Sequence, residues 1–125
     1  MQPEDLKRRT KGFALRVIRL ARALPKNPVG DVIGRQLLRS GTSVGANYRA
    51  ACRARSASDF ISKMHIVQEE ADESLYWMEL LVEGGFVPKS QMKGLMQETE
   101  ELVAIIVASI NTARRKVKAP QTRKA

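Results

Sequence analysis

Arg39-Ser40-Gly41-Thr42-Ser43-Val44-Gly45-Ala46-Asn47-Tyr48-Arg49-Ala50-Ala51-Cys52-Arg53-Ala54-Arg55 places two glycines four residues apart among small hydroxyl side chains and arginines. Read as a phosphate loop, the stretch needs a preceding strand and a Gly-Lys-Ser/Thr ending that brings a lysine to the phosphates. Gly41-Thr42-Ser43-Val44-Gly45 has neither. Read as a helix, it puts Ile33, Leu37, Val44, Tyr48 and Ala51 on one face, with Gly41 and Cys52 beside them. That reading decides the fold. Glycine inside a helix costs ~1 kcal/mol against alanine, so Gly41 and Gly45 are expected to allow close approach of a neighbouring helix.

Working outward, this helix begins near Val29 to Asp31 and ends near Arg55, where Ser56-Ala57-Ser58-Asp59 offers capping oxygens for the next. Upstream, Leu6, Thr10, Phe13, Val17, Leu20 and Leu24 recur at helical spacing until Pro25-Lys26-Asn27-Pro28 stops the run. Downstream, Phe60, Met64, Val67, Ala71, Leu75, Met78 and Val82 form a third stripe, closed by Gly84-Gly85. Pro88 suits the first turn of a fourth helix, which carries Met92, Leu95, Thr99, Leu102, Ile106, Ile110, Ala113 and Val117. No stretch alternates in polarity as a strand does. Four helices with short loops pack antiparallel, so the expectation is all-α: an up-down-up-down four-helix bundle over residues 1–119. Residues 120–125 are expected to form a short, disordered basic tail.

The 125 residues suffice for one domain with its own core, and 43% hydrophobic content is ordinary for a globular protein. The single cysteine, Cys52, allows no intramolecular disulfide and suits a reducing compartment. No apolar run approaches the ~20 residues that span a bilayer, and Met1-Gln2-Pro3-Glu4-Asp5 lacks the order of a signal peptide, so the chain is expected to be cytoplasmic with no membrane partner. The net charge of +9 argues for an anionic partner such as RNA or DNA. The plainer alternative is that this charge only maintains solubility.

Charge is sorted by segment. Residues 1–28 hold eight basic and two acidic side chains, and residues 58–85 hold one basic and seven acidic. The first helix has a second face with Leu15, Ile18 and Arg22, and the third has one with Ile66, Glu70, Glu73, Trp77 and Leu80. Opposite charges beside apolar groups, on diagonal helices, point to head-to-tail association that can close into a ring. The competing reading is scattered surface hydrophobics, which are common.

Two sets of basic residues are candidates for nucleic-acid contact. Lys7, Arg8, Arg9 and Lys11 near one end of the chain, with Arg114, Arg115, Lys116 and Lys118 near the other, should merge into one patch in an up-down-up-down bundle. Arg35, Arg39, Arg49 and Arg53 form a row along the second helix, which could read phosphates or pair with Glu70 and Glu73. Stacking aromatics are few, and Tyr76 and Trp77 sit on the acidic helix, which argues against a single-strand reader.

No chemistry of catalysis stands out. A di-iron bundle needs Glu-x-x-His on two helices, whereas here His65 is the one histidine and Ser62 precedes it by three. Cys52 could approach His65 across the hairpin, but its place beside the core stripe fits a small buried thiol. The expectation is a non-enzymatic protein with no metal or cofactor.

Ser40-Gly41-Thr42-Ser43-Val44-Gly45-Ala46-Asn47-Tyr48-Arg49 resembles the signature of bacterial four-helix bundle proteins related to the 23S rRNA intervening-sequence protein. The similarity runs on through Ser58-Asp59-Phe60, Glu69-Glu70-Ala71-Asp72-Glu73 and Tyr76-Trp77-Met78-Glu79-Leu80-Leu81, over roughly residues 10–115. The resemblance implies a four-helix bundle assembled as a ring-like homopentamer. A cousin of the family, the accessory variability protein of diversity-generating retroelements, is a basic pentameric scaffold that binds a reverse transcriptase and nucleic acid. The resemblance supplies no catalytic residues. One departure stands out: many members continue after the Asn with Ile-Ala-Glu-Gly, where this chain has Tyr48-Arg49-Ala50-Ala51 after Asn47.

Overall fold

The computed structural model describes residues 2–118, and the tail expected over 120–125 lies outside them. Four helices follow in order: α1 (Pro3–Ala23), α2 (Pro28–Cys52), α3 (Ala57–Glu83) and α4 (Lys89–Lys118). Each consecutive pair packs side by side, the backbones of α1 and α4 approach only lightly, and those of the diagonal pairs α1–α3 and α2–α4 stay apart. This is the antiparallel up-down-up-down bundle.

Local chemistry sets the helix ends. Asn27 Oδ1 accepts from the backbone N–H of Val29 (2.9 Å) and Gly30 (3.2 Å), satisfying two donors left bare at the start of α2, and Pro28 occupies the position where a missing N–H costs nothing. Ser56 Oγ accepts from Asp59 N–H at 3.0 Å to start α3. We predict that Asn27→Ala lowers the unfolding free energy by about 1 kcal/mol in urea denaturation, the usual worth of such a cap. At the end of α3, Gly85 takes φ +83°, a conformation open to glycine at little cost, while Phe86 N–H bonds Leu81 O at 2.9 Å and Gly85 N–H bonds Val82 O at 3.1 Å. Gly84-Gly85 thus closes α3 with the carbonyls of Leu80, Leu81 and Val82 satisfied. α2 ends at Cys52, three residues short of the expected Arg55, with Arg53 N–H turned onto Ala50 O and Ala51 O.

The core holds Leu6, Phe13 and Val17 of α1; Leu37, Val44, Tyr48 and Ala51 of α2; Met64, Val67, Ala71, Met78 and Leu81 of α3; and Met92, Leu95, Leu102, Ile106 and Ile110 of α4. On α3 the buried stripe departs from the sequence expectation. Ser74 and Leu81 are buried, whereas Leu75 and Val82 are half-buried. The cause is a polar seam: Ser40 Oγ of α2 meets Ser74 Oγ at 2.8 Å, and Ser74 donates to Glu70 O at 2.8 Å, so a hydroxyl takes a place that spacing alone assigns to leucine. Val117, which spacing puts on the buried stripe of α4, is exposed near the end of the helix.

α1 and α2 approach each other through glycine. A Cβ on Gly41 would stand 2.9 Å from both methyls of Val17, and one on Gly45 would stand 3.1 Å from Thr10 Oγ1. Thr10 is itself buried, its hydroxyl turned back onto Leu6 O at 2.8 Å, so α1 presents a smooth surface to the glycines.

Candidate nucleic-acid interface

Topology brings the start of α1, the end of α2, the start of α3 and the end of α4 to one end of the bundle. Segments 2–8, 49–63 and 111–118 at this end carry ten basic and three acidic side chains; segments 19–35 and 79–93 at the opposite end carry six and three. The excess is concentrated where the chain's two terminal clusters converge. Lys7 of α1 and Lys116 of α4 line the same groove, and Arg114, Arg115 and Lys118 stand exposed around a shallow depression next to it. Arg8 is exposed, held among the described residues only by a surface pair with Asp5 at 3.4 Å, and Lys7 has a similar pair with Glu4 at 3.3 Å. Pairs of this kind are worth little and yield to a phosphate.

Arg9 does not share that freedom. Its Nε and Nη2 donate to the two carboxylate oxygens of Glu98, each at 2.8 Å, and Nη2 also donates to Glu101 at 2.6 Å. These hydrogen bonds, to Glu98 first and then Glu101, raise the guanidinium pKa above its ordinary value. A raised base keeps its stabilising effect at every pH below the unfolded value, so the arginine half of this clasp is charged throughout the working range. Arg9 therefore pins α1 to α4 along their thin seam. We predict that Arg9→Ala lowers the unfolding free energy by about 1–3 kcal/mol, because the largely covered Glu98 is left unpaired. Matched urea titrations of the two proteins measure it.

The arginine row on α2 divides. Arg39 is committed: Nη1 donates to Glu70 at 3.3 Å, Nη2 to Glu73, and Nε to Gln36 at 3.1 Å. Arg35, Arg49 and Arg53 are exposed; Arg35 borders a small groove shared with Arg22 and Asp31, at the end opposite Lys7 and Lys116. Lys11 is exposed one turn above Lys7. Sequence reasoning missed Arg55 and Lys63 at the basic end, and missed that Arg114 Nη2 reaches His65 Nε2 at 2.9 Å, tying α4 to α3. The missed contact spans 49 positions, which spacing does not reveal.

Lys63 donates to Asp59 Oδ1 at 2.8 Å and holds that carboxyl below its usual range. For a depressed acid, the contribution exists above the unfolded pKa and disappears as pH falls through the folded one. We predict that Lys63→Met moves the Asp59 titration up toward the ordinary carboxylate value, as read by NMR.

The oligomer candidates are similarly sorted. Leu15 is 47% exposed, Ile66 43% and Tyr76 52%. Ile18, Leu80 and Trp77 are half-buried, and Arg22 is exposed. Glu70 and Glu73 turn toward Arg39, and Trp77 Nε1 donates to Glu73 at 3.0 Å, so part of the acidic face is satisfied within the chain. Glu69, Asp72, Glu79 and Glu83 are the exposed acids of α3's middle and end. Among the described residues no group of three His, Cys, Asp or Glu is placed to hold a metal ion, and no helix is long and apolar enough to cross a membrane.

The sequence model of the 23S rRNA-intervening sequence protein matches residues 4–108, which takes in α1 but for its first residue, all of α2 and α3, and most of α4. The chain belongs to the 23S rRNA-intervening sequence protein family. Among solved structures it is similar to a protein of unknown function from the S23 ribosomal protein family of Bacteroides thetaiotaomicron. The two are 34% identical, with a TM-score of 0.83, over 89% of this chain and 99% of that one. No curated protein matches. Membership of the 23S rRNA-intervening sequence protein family accounts for the bundle, while the basic end is a feature of this chain's own residues.

Proposed function

We propose that this protein is a non-enzymatic basic scaffold that assembles into a homo-oligomeric ring and binds the backbone of RNA or DNA through the end carrying Lys7, Arg8, Arg114, Arg115, Lys116 and Lys118. The observation that carries the reading is the convergence of Lys7 and Lys116, 109 positions apart in sequence, on one groove among exposed arginines. Exposed guanidinium and ammonium groups on rigid helices neutralise phosphates and release counterions without reading bases. The family name, which refers to an insertion in 23S rRNA, favours RNA as the first ligand to try. A ring, with five copies as the family resemblance suggests, would multiply the basic end and raise avidity.

A second reading is favoured by the exposed Ile66 and Tyr76 on α3: a protein-interaction adaptor whose charge serves docking, with a nucleic-acid-processing enzyme such as a reverse transcriptase as one partner. Gel retardation of duplex RNA and duplex DNA across a salt series separates the two. The scaffold reading expects affinity to fall steeply and linearly on a log–log plot. Affinity indifferent to salt, or a partner complex that survives nuclease and contains no nucleic acid, favours the adaptor.

A further inference from the structure

α1 is shorter than the helix it leans on. Arg9 meets Glu98 and Glu101, so the start of α1 at Pro3 lies abreast of about residue 106 of α4, and α4 continues to Lys118, another ~18 Å of helix at 1.5 Å per residue. Over that stretch the side of α4 that α1 would cover is open. It is a continuous stripe: Ile105, Ala108, Ser109, Thr112, Ala113 and Lys116 recur at three- and four-residue steps along one face. The stripe forms one wall of a groove of about 780 Å³. Leu6 of α1 stands opposite, and Tyr48 and the half-buried Phe60 supply an apolar floor. Lys7 and Lys116 hold the two rims.

We infer that this groove is a docking site for an acidic amphipathic helix of a partner protein, seated along α4 where α1 stops short. Three features select that occupant. The open wall is about three turns long with small residues at its centre, and small side chains allow a helix to approach closely. The floor is apolar, so the occupant must bring an apolar stripe. Both rims are lysines, so the flanks of that stripe must be acidic. The Lys7–Glu4 pair is an exposed contact between residues three apart, and a partner's carboxylate can replace it. Residues 119–125 of the same chain carry Arg123 and Lys124, the wrong sign for this rim. The inference does not depend on nucleic-acid binding, but it predicts competition, because the rim lysines belong to the proposed backbone-binding end.

The test uses the full chain and two labelled helical peptides of about 14 residues, with identical leucine stripes and either glutamate or lysine flanks, followed by fluorescence anisotropy. The glutamate peptide should bind saturably, the lysine peptide at least ~10-fold more weakly, with the preference reduced by added salt and reduced again in Lys116→Glu. Ala108→Trp, at an exposed position, fills the groove and should abolish binding while leaving the melting curve unchanged. Equal binding of the two peptides, or no binding of either, overturns the proposal, and this comparison needs no variant to fold. Dodecanoate binding in the groove more tightly than the peptide would overturn it in favour of a small amphiphile. Self-association lost in Ala108→Trp would overturn it in favour of a second copy.

Discussion

Gly41→Leu lowers the unfolding free energy of the bundle by about 2–3 kcal/mol, with the urea midpoint falling in proportion. The first carbon of any side chain at this position already stands 2.9 Å from both methyls of Val17. Val17 is fully buried and β-branched, so it has no rotamer to retreat to, and the added leucine atoms force α1 away from α2. Leucine recovers somewhat less than ~1 kcal/mol through its better helix propensity, which is too little to offset the clash. Gly12 is the matched control. A Cβ there meets nothing within 4 Å, so Gly12→Ala gains the propensity term alone and raises stability by about 1 kcal/mol. Opposite responses from two helical glycines would establish that the α1–α2 crossing, not backbone freedom, explains Gly41. Equal midpoints for Gly41→Leu and the parent would remove that explanation.

The second large effect concerns binding. Arg115→Glu/Lys116→Glu reverses two exposed charges near the end of α4, where no buried contact is disturbed. If both side chains neutralise phosphates, the slope of log affinity against log salt falls by roughly 1.8 for a duplex, and affinity at low salt drops on the order of 100-fold. Lys26→Glu/Lys89→Glu makes the same change in net charge at the opposite end. It should weaken binding only by the smaller, long-range share of the field. The contrast separates a localised binding end from a diffuse effect of net charge +9. Similar losses in both double variants would mean that overall charge accounts for the binding.

Much of the bundle is legible in the sequence alone, for a physical reason. Leu6, Thr10, Phe13 and Val17 repeat at the helical period, and so do Met92, Leu95, Thr99, Leu102, Ile106 and Ile110, because each helix must bury one face; every one of these residues is buried. Pro28 and Gly84-Gly85 mark ends because their backbone chemistry permits little else. The stripe on α3 was misread at Ser74 because a hydroxyl facing another hydroxyl can be buried without loss, and only the partner, Ser40, makes that visible. Arg9 looked as available as Arg8 because the two are adjacent in sequence. What separates them is a carboxylate 89 positions away. The convergence of Lys7 with Lys116 followed from topology, but the groove between them did not, since it depends on where α1 starts relative to α4.

Lysine acetylation mapped by mass spectrometry, with and without duplex RNA at low salt, tests the central claim most directly. The claim is that the end of the bundle where α1 begins and α4 ends receives the nucleic-acid backbone. The account predicts that Lys7, Lys116 and Lys118 become protected while Lys26, Lys89 and Lys93 at the other end keep their reactivity. Protection of Lys26, Lys89 and Lys93 with Lys7 and Lys116 still open would contradict it.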